Sequence, residues 1–345
     1  MATPSSVLSM SSKDSVLDVL RGADKLILVT HENPDGDALG SLVAMHELLT
    51  ALGKDSLMFI ARGEFPLPYE YRFLPLQGHV SEAPDDLEER EVVFLDCGNV
   101  DRNPAAEVLL QGSGRRTVNI DHHHDNTNFA DINHVDPAAS CTAEIVWDLL
   151  HGLDIGLTPS IAEALYVGLI TDTGCFMYEN TGPRAHRMAA ELIEAGVEVH
   201  AMYQRIYEGI PFGRLALLAR GLSHVERYDD GRLTITQLTA EDFEQTGAEE
   251  SYTEGVVDHL RAVRGTALAA VVKDRLVAPG EAVEAGGVRV RKVSLRASDM
   301  RVDVSAIARQ QGGGGHRLAA GFSTTLPWDE LVQFLREQLA LQLGS

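Results

Sequence analysis

KLILVTHENPDGD, residues 25–37, decides how this chain is read. Lys25 to Thr30 is a short apolar run that ends in a polar cluster. Ala38 to Leu52 then carries apolar residues at helical spacing and stops before Gly53, so the stretch reads as strand, loop, helix. The same opening recurs: Glu91 to Leu95 runs into Asp96, and Thr117 to Ile120 runs into Asp121. Short apolar strands that alternate with helices predict a parallel sheet. Helices are expected from Ser140 (as cap) to Leu150, Ser160 to Ile170 and Arg184 to Ala195. Residues 197–225 read as an amphipathic helical connector broken at Pro211. Beyond Tyr228 the pattern changes to strands at 232–238, 266–273 and 292–298, helices near 253–261 and 302–310, four glycines and a last helix over 328–343. The segment 277–290 reads as a hairpin or loop excursion. The expected fold is α/β, an N-terminal parallel-sheet domain (1–196), the connector (197–225) and a smaller C-terminal α/β domain (226–345) across a cleft.

Composition bounds the function. The 345 residues carry 29 Lys+Arg against 51 Asp+Glu, a formal charge of -22, with 44% hydrophobic residues and 3 cysteines. This suits a globular chain of two domains. No apolar run approaches the ~18 residues that cross a bilayer, and the first residues lack a basic-then-apolar leader, so a cytoplasmic location is expected. Cys97, Cys141 and Cys175 are odd in number and form no C-x-x-C pair, which offers neither a disulfide framework nor a zinc ribbon. The acidity argues against long duplex DNA or a membrane surface as partner, since both need a broad positive field. Charge is uneven, however. Residues 61–110 hold 4 basic and 11 acidic groups, net -7, whereas residues 286–325 hold 7 basic and 2 acidic, net +5. A basic patch beside a glycine run suits a small anionic ligand.

The densest chemistry is His31-Glu32-Asn33-Pro34-Asp35-Gly36-Asp37, where the first strand gives way to the first helix. Ligands of open α/β sheets gather at the carboxyl ends of strands. Imidazole and carboxylates this close suit a metal site; plain turn chemistry, with Asp37 only a helix N-cap, is the alternative. Asp96, then Asp121-His122-His123-His124, then Asp172 after an apolar helix, supply more of the same groups. Carboxylates crowded together repel unless they protonate or share a cation, so the convergence favours a dinuclear centre. Cys97, next along from Asp96, is expected in the core.

The set His31-x-Asn33-Pro34-Asp35-Gly36-Asp37-Ala38-x-Gly40-Ser41, Asp96, Asp121-His122-His123 and Asp172 resembles the DHH phosphoesterase family. Gly312-Gly313-Gly314-Gly315-His316 with Ala320-Gly321-Phe322 resembles its companion DHHA1 domain, and the two-domain length is similar to the NrnA-like group. The resemblance implies two divalent ions, usually manganese. His31 and Asp35 would hold one, Asp37, His122 and Asp172 the other, and Asp96 would bridge both. It implies His123 at the scissile phosphate, Asp121 orienting the histidines, and leaves His124 without a role. Arg296, Ser298, Gly313, Gly314, Gly315, His316 and Arg317 are expected to bind substrate, through backbone N–H groups that bend around a phosphate and through a cation that pairs with phosphate or stacks on a base.

The expected activity is metal-dependent hydrolysis of short oligonucleotides to mononucleotides, and of 3'-phosphoadenosine-5'-phosphate. Rival expectations are a cyclic di-AMP phosphodiesterase of the same fold, an inorganic pyrophosphatase of a related family, and a nucleotide sensor without catalysis. A homodimer through the amphipathic connector is a further expectation.

Overall fold

A computed structural model describes residues 12–102, 109, 115–253, 255–275 and 290–344. The loop excursion expected over 277–290 lies, but for residue 290, outside the described residues. The chain divides into two compact units, Met1–Gly209 and Ile210–Ser345.

In the first unit, α1 (Ser12–Gly22) leads into β1 (Lys25–Val29), α2 (Gly36–Ala51) and β2 (Asp55–Phe59). β3 (Glu91–Leu95), β4 (Thr117–Asp121) and β5 (Ile132–Val135) complete one sheet in the order β2-β1-β3-β4-β5, every pair parallel. Four helices follow: α3 (Thr142–Gly152), α4 (Pro159–Asp172), α5 (Pro183–Glu194) and α6 (Val199–Tyr207). The parallel sheet read from the alternating apolar runs is present. β2 and β5 are additional to the strands expected from the sequence; β5 is a half-buried edge strand, Ile-Asn-His-Val, without an apolar run to announce it.

Strand alternation sends Leu26, Leu28, Val93 and Leu95 to the core under α2, and Ile27, Val29, Val92 and Phe94 to the core of the opposite face. A parallel sheet covered on both faces needs such unbroken apolar strands. The strand order reverses between β1 and β3, and at this switch point the loops leaving the two strands diverge and open a crevice. His31 and Asp96 stand on those two loops.

α2 and α4 are buried on most of their surface and approach backbone to backbone. A Cβ built on Gly40 would stand 2.4 Å from the Ala164 carbonyl oxygen, so only glycine permits the contact. Gly40→Ala should destabilise the protein by about 1–3 kcal/mol despite alanine's better helix propensity, because the atom it meets is backbone. A denaturant midpoint equal to that of the wild type would show that the helices separate without penalty.

One local expectation is corrected. Ser140 does not cap α3; Cys141 occupies the cap position without a side-chain bond, and the Glu144 carboxylate accepts from Ser140 N at 3.1 Å. The Ser140 hydroxyl instead donates to Asn180 O at 2.9 Å, which ties down the loop after α4. α4 is capped by Thr158 and α2 by Asp35, so the N-cap of α2 is Asp35 and not Asp37.

The second unit begins with α7 (Phe212–Ser223) and builds a sheet in the order β10-β11-β9-β8-β7-β6. Its strands are β6 (Glu226–Tyr228), β7 (Leu233–Leu238), β8 (Leu268–Asp274), β9 (Arg291–Ala297), β10 (Gly314–His316) and β11 (Ala319–Thr324). Only β7 and β8 pair in parallel. α8 (Ala240–Thr246), α9 (Val256–Arg261), α10 (Val304–Arg309) and α11 (Trp328–Leu343) are its other helices, and Leu295, Ile307, Phe322 and Leu335 belong to one of its cores. The glycine run has a defined conformation: after Gly312, at φ 74, residues 314–316 form an edge strand against β11. A Cβ on Gly313 would meet the Gly321 carbonyl oxygen at 2.2 Å, so the hairpin closes at glycine distance.

Candidate metal centre

Each proposed ligand leaves an element at its carboxyl end or opens a helix. His31 follows β1; its Nδ1–H donates to the Glu32 carbonyl at 2.7 Å, which leaves Nε2 turned toward Asp96 Oδ2 at 3.4 Å. Asn33 adopts φ 51, and its N–H donates to Glu64 Oε2 at 2.5 Å, so the loop bends back over the strand end. Asp35 Oδ1 accepts from Asp37 N and Ala38 N at 3.0 and 3.1 Å while capping α2. Asp37, 1% exposed, takes Thr142 N on Oδ2 at 2.6 Å and Ala143 N on Oδ1 at 2.9 Å. Space for that carboxylate exists because residue 168 is glycine, whose Cβ would stand 2.7 Å from Asp37 Oδ1.

Asp96 sits just past β3 at φ 58, in the left-handed region that aspartate tolerates better than most residues with a Cβ. Its oxygens diverge. Oδ2 faces His31, whereas Oδ1 accepts from Thr142 Oγ1 at 3.0 Å and lies 3.6 Å from both His122 Nε2 and His123 Nδ1. His122 Nε2 is also 3.7 Å from Asp172 Oδ2 and 3.9 Å from Asp37 Oδ2. The separations of 3.6–3.9 Å about His122 and His123 are too long for hydrogen bonds and match groups gathered around a shared point, as ligands of one cation are at roughly 2.0–2.2 Å each. Among the described residues, His31, Asp35 and Asp96 form one group of possible metal donors, and Asp37, His122 and Asp172 a second. Asp96, His122 and His123 form a third; within each group the donor atoms lie within 4.8 Å of one another.

His123 differs from His122 in its partner. Its Nδ1 lies 2.7 Å from Asp121 Oδ1, and the other oxygen of that fully buried carboxylate accepts from Asn126 Nδ2 at 2.5 Å. Asp121 therefore orients one histidine, His123. His124 is exposed and joins none of the three groups. Cys97 is buried in the core, as expected. Asn180 donates to Asp172 Oδ2 at 3.2 Å and to the Ser140 carbonyl at 2.8 Å. Thr142, Asn126, Asn180 and Glu64 are supporting residues that no local sequence signal singles out: each acts on a partner distant in the chain or through a loop whose path is not written locally.

The electrostatics favour a cation. Burial, with repulsion from Asp96 and Asp172, raises the Asp37 carboxyl well above its usual range. Burial also lifts Asp172 to about 7, aided by Asp96 and Asp35 and opposed by His122. Burial works against the charged form of His31, yet Asp96 beside it carries the imidazole up to about 9. For Asp96, the penalty of burial is overcome by His31, His123 and His122, which hold it below the ordinary carboxylate range. Carboxylates and imidazoles, three of them buried and Asp172 partly so, thus shift one another's proton affinities in opposite directions, and the donor set of oxygens and imidazole nitrogens, without thiolate, fits divalent cations.

This has a pH consequence for the metal-free protein. The His31 contribution to stability is complete below its unfolded value near 6.5 and is lost as pH rises through 9. The Asp172 penalty begins above 3.8 and is complete above 7. Both slopes point the same way. After chelation, the melting temperature should fall steadily from pH 5 to pH 9, and added divalent cation should flatten the profile; a metal-free profile that rises over that window would contradict the assignment.

In the second unit, Arg296 projects from β9 on the same face as Ser294, with Nη1 donating to the Leu295 carbonyl at 3.1 Å and Nε 3.9 Å from Asp258. Ser298 lies past the strand end rather than on it, and its hydroxyl donates to the Thr266 carbonyl. Arg317, in the turn between β10 and β11, donates through Nη2 to the Met300 carbonyl at 2.9 Å. Gly313, Gly314 and Gly315 belong to the hairpin described above, and the His316 side chain lies outside the described residues.

Comparison with known proteins bears on the family and the fold. Residues 25–169 match the model of the DHH family N-terminal domain. Over 331 residues, covering 94% of this chain and 93% of the relative, the chain is 32% identical to the bifunctional oligoribonuclease and PAP phosphatase NrnA of Thermus thermophilus. The chain belongs to the DHH family. Similarity to solved structures extends the fold over both units of this DHH-family chain. An exopolyphosphatase-related protein from Bacteroides fragilis superposes with a TM-score of 0.84 at 23% identity, covering 97% of each chain. RecJ of Thermus thermophilus, solved with Mn2+, superposes with a TM-score of 0.55 at 16% identity, covering 99% of this chain and 56% of RecJ. No described helix of the DHH-family chain is long and apolar enough to cross a membrane.

Proposed function

We propose that this chain is a divalent-metal-dependent phosphoesterase that hydrolyses very short oligonucleotides, down to the dinucleotide, to mononucleotides, and that removes the 3' phosphate of 3'-phosphoadenosine-5'-phosphate. The observation that carries the reading is the pair of donor groups, His31–Asp35–Asp96 and Asp37–His122–Asp172, set side by side at the sheet's switch point. The name of the Thermus thermophilus relative supports the substrate class.

In this reading His31 and Asp35 hold one cation and Asp37, His122 and Asp172 the other, with Asp96 bridging and manganese the metal. When bound, two such ions lower the pKa of a water and neutralise charge as an in-line displacement develops at phosphorus. His123, held by Asp121, donates a hydrogen bond or proton to the phosphate; a histidine fixed at one nitrogen presents the other at a defined position. Residues 1–196 are assigned to catalysis, 197–225 to the connection and 226–345 to substrate binding. There Arg296, Ser298, Gly313, Gly314, Gly315, His316 and Arg317 hold the terminal nucleotide. β10 supports this as an edge strand, because one alternate set of its N–H groups is turned away from β11. A cytoplasmic location and a homodimer complete the proposal; a monomer mass in light scattering would remove the dimer.

The test is turnover with Mn2+ across a linear diadenylate, cyclic di-AMP, 3'-phosphoadenosine-5'-phosphate, pyrophosphate and a long single strand. The expected order places the linear dinucleotide and the 3'-phosphorylated nucleotide first, and Arg296→Ala should raise KM for both with kcat less affected. Faster hydrolysis of the cyclic dinucleotide, of pyrophosphate or of the long strand would each replace the reading, and binding without turnover would make the chain a sensor.

A further inference from the structure

Thr142 opens α3 and touches two proposed ligands that are 59 residues apart in sequence. Its hydroxyl donates to Asp96 Oδ1 at 3.0 Å, and its backbone N–H donates to Asp37 Oδ2 at 2.6 Å. The residue is fully buried, so neither bond competes with bulk water. The two bonds are of different kinds. The contact to Asp37 belongs to the backbone and is shared with Ala143 N, so it survives substitution. The contact to Asp96 belongs to the side chain alone.

That side-chain bond falls on the oxygen where it matters most. The terminal torsion of an aspartate is broad and nearly two-fold, so nothing internal to Asp96 decides which way its oxygens face. Oδ2 is directed to His31 at 3.4 Å and Oδ1 to His122 at 3.6 Å, the two donor groups on either side. A donor on Oδ1 pins the carboxylate in that split orientation. Without it, the carboxylate is at liberty to turn and give both oxygens to one group.

We propose that Thr142 is a positioning residue that fixes Asp96 as a ligand shared between the two metal groups. The inference rests on the two-cation reading above and adds to it a residue that holds neither cation itself. Hydrogen bonds to ligating groups of this kind alter metal affinity by about 10–100-fold. Because the bond is made to Oδ1, the loss falls on the group of Asp37, His122 and Asp172.

The test is calorimetric titration of the chelator-stripped, full-length protein with Mn2+. Thr142→Val keeps the size and the backbone N–H and removes only the donor. One of the two binding steps should weaken by about 10–100-fold, while Thr142→Ser, which restores the donor, stays within about threefold of wild type. In an Asp172→Ala background the further effect of Thr142→Val should vanish, whereas in an Asp35→Ala background it should persist in full. Wild-type affinity in Thr142→Val, or an equal loss in Thr142→Ser and Thr142→Val, overturns the proposal; so does persistence of the effect in the Asp172→Ala background. The readout is binding, so the two readings fail separately. A wild type that binds two ions but turns over no short nucleotide sinks the function and leaves Thr142 in place, whereas a turning-over wild type with an indifferent Thr142→Val does the reverse.

Discussion

Asp96→Asn should reduce kcat by roughly 10³-fold or more and lower the number of tightly bound divalent ions from two to one. The reason is the shared position: the two oxygens of Asp96 serve different donor groups, with His31 on one side and His122 on the other. An asparagine offers one acceptor oxygen and turns an N–H2 toward the other group, which repels a cation there. The electrostatic stabilisation a metal supplies in phosphoryl displacement is worth several kcal/mol, and each 1.36 kcal/mol is a factor of ten in rate. The substitution also removes the anion beside His31, so the imidazole loses the partner that raised its pKa and falls back toward neutrality. For this reason the variant is expected to fold. Saturating Mn2+ kinetics together with metal analysis check it, and wild-type turnover with two ions bound would remove Asp96 from the bridging position.

His123→Ala should lower kcat by about 10²–10⁴-fold with both ions retained, the range for a positioned proton donor. Asp121 and Asn126 form a line behind His123 at 2.7 and 2.5 Å, an investment in orientation that a solvent-facing histidine would not need. The geometry permits one competing assignment, because His123 Nδ1 also lies 3.6 Å from Asp96 Oδ1 within a third donor group. Metal stoichiometry separates the two. Loss of an ion in His123→Ala would make the residue a ligand, whereas retention of both with slow turnover places it at the phosphate. Asp121→Asn should give a smaller loss than His123→Ala, since it frees the ring without removing it.

Much of the centre was written locally. His31 to Asp37 falls within one loop, and a short apolar strand before it with a helical pattern after it announces a strand end, where parallel sheets collect ligands. Asp96 and the Asp121 to His123 run carry the same signal because each ends an apolar run. Sequence periodicity therefore determined the parallel sheet, the crossing helices and the ends at which the chemistry stands.

Tertiary structure decided what those residues do to one another. That the strand order is β2-β1-β3-β4-β5 is a matter of long-range pairing, and it alone brings the loops of β1 and β3 to a common crevice. That His123 and not His122 reaches Asp121 is a matter of tertiary geometry, because consecutive residues past a strand end carry no periodicity to read it from. Ser140 has the residue type of a cap, yet the N-cap position falls to Cys141 and the Ser140 hydroxyl donates to the Asn180 carbonyl, a partner that only the tertiary fold supplies. The four glycines suggest N–H groups bent around a phosphate, and only the approach of β11 shows that Gly314 and Gly315 also form an edge strand. Thr142 illustrates the limit most sharply. Its sequence neighbours give no reason to notice it, since its importance lies in two carboxylates that only folding brings within 3.0 Å. Residue type and spacing determine which chemistry a chain can perform; the geometry that assigns each group its part arises from contacts whose energies depend on distances no local pattern encodes.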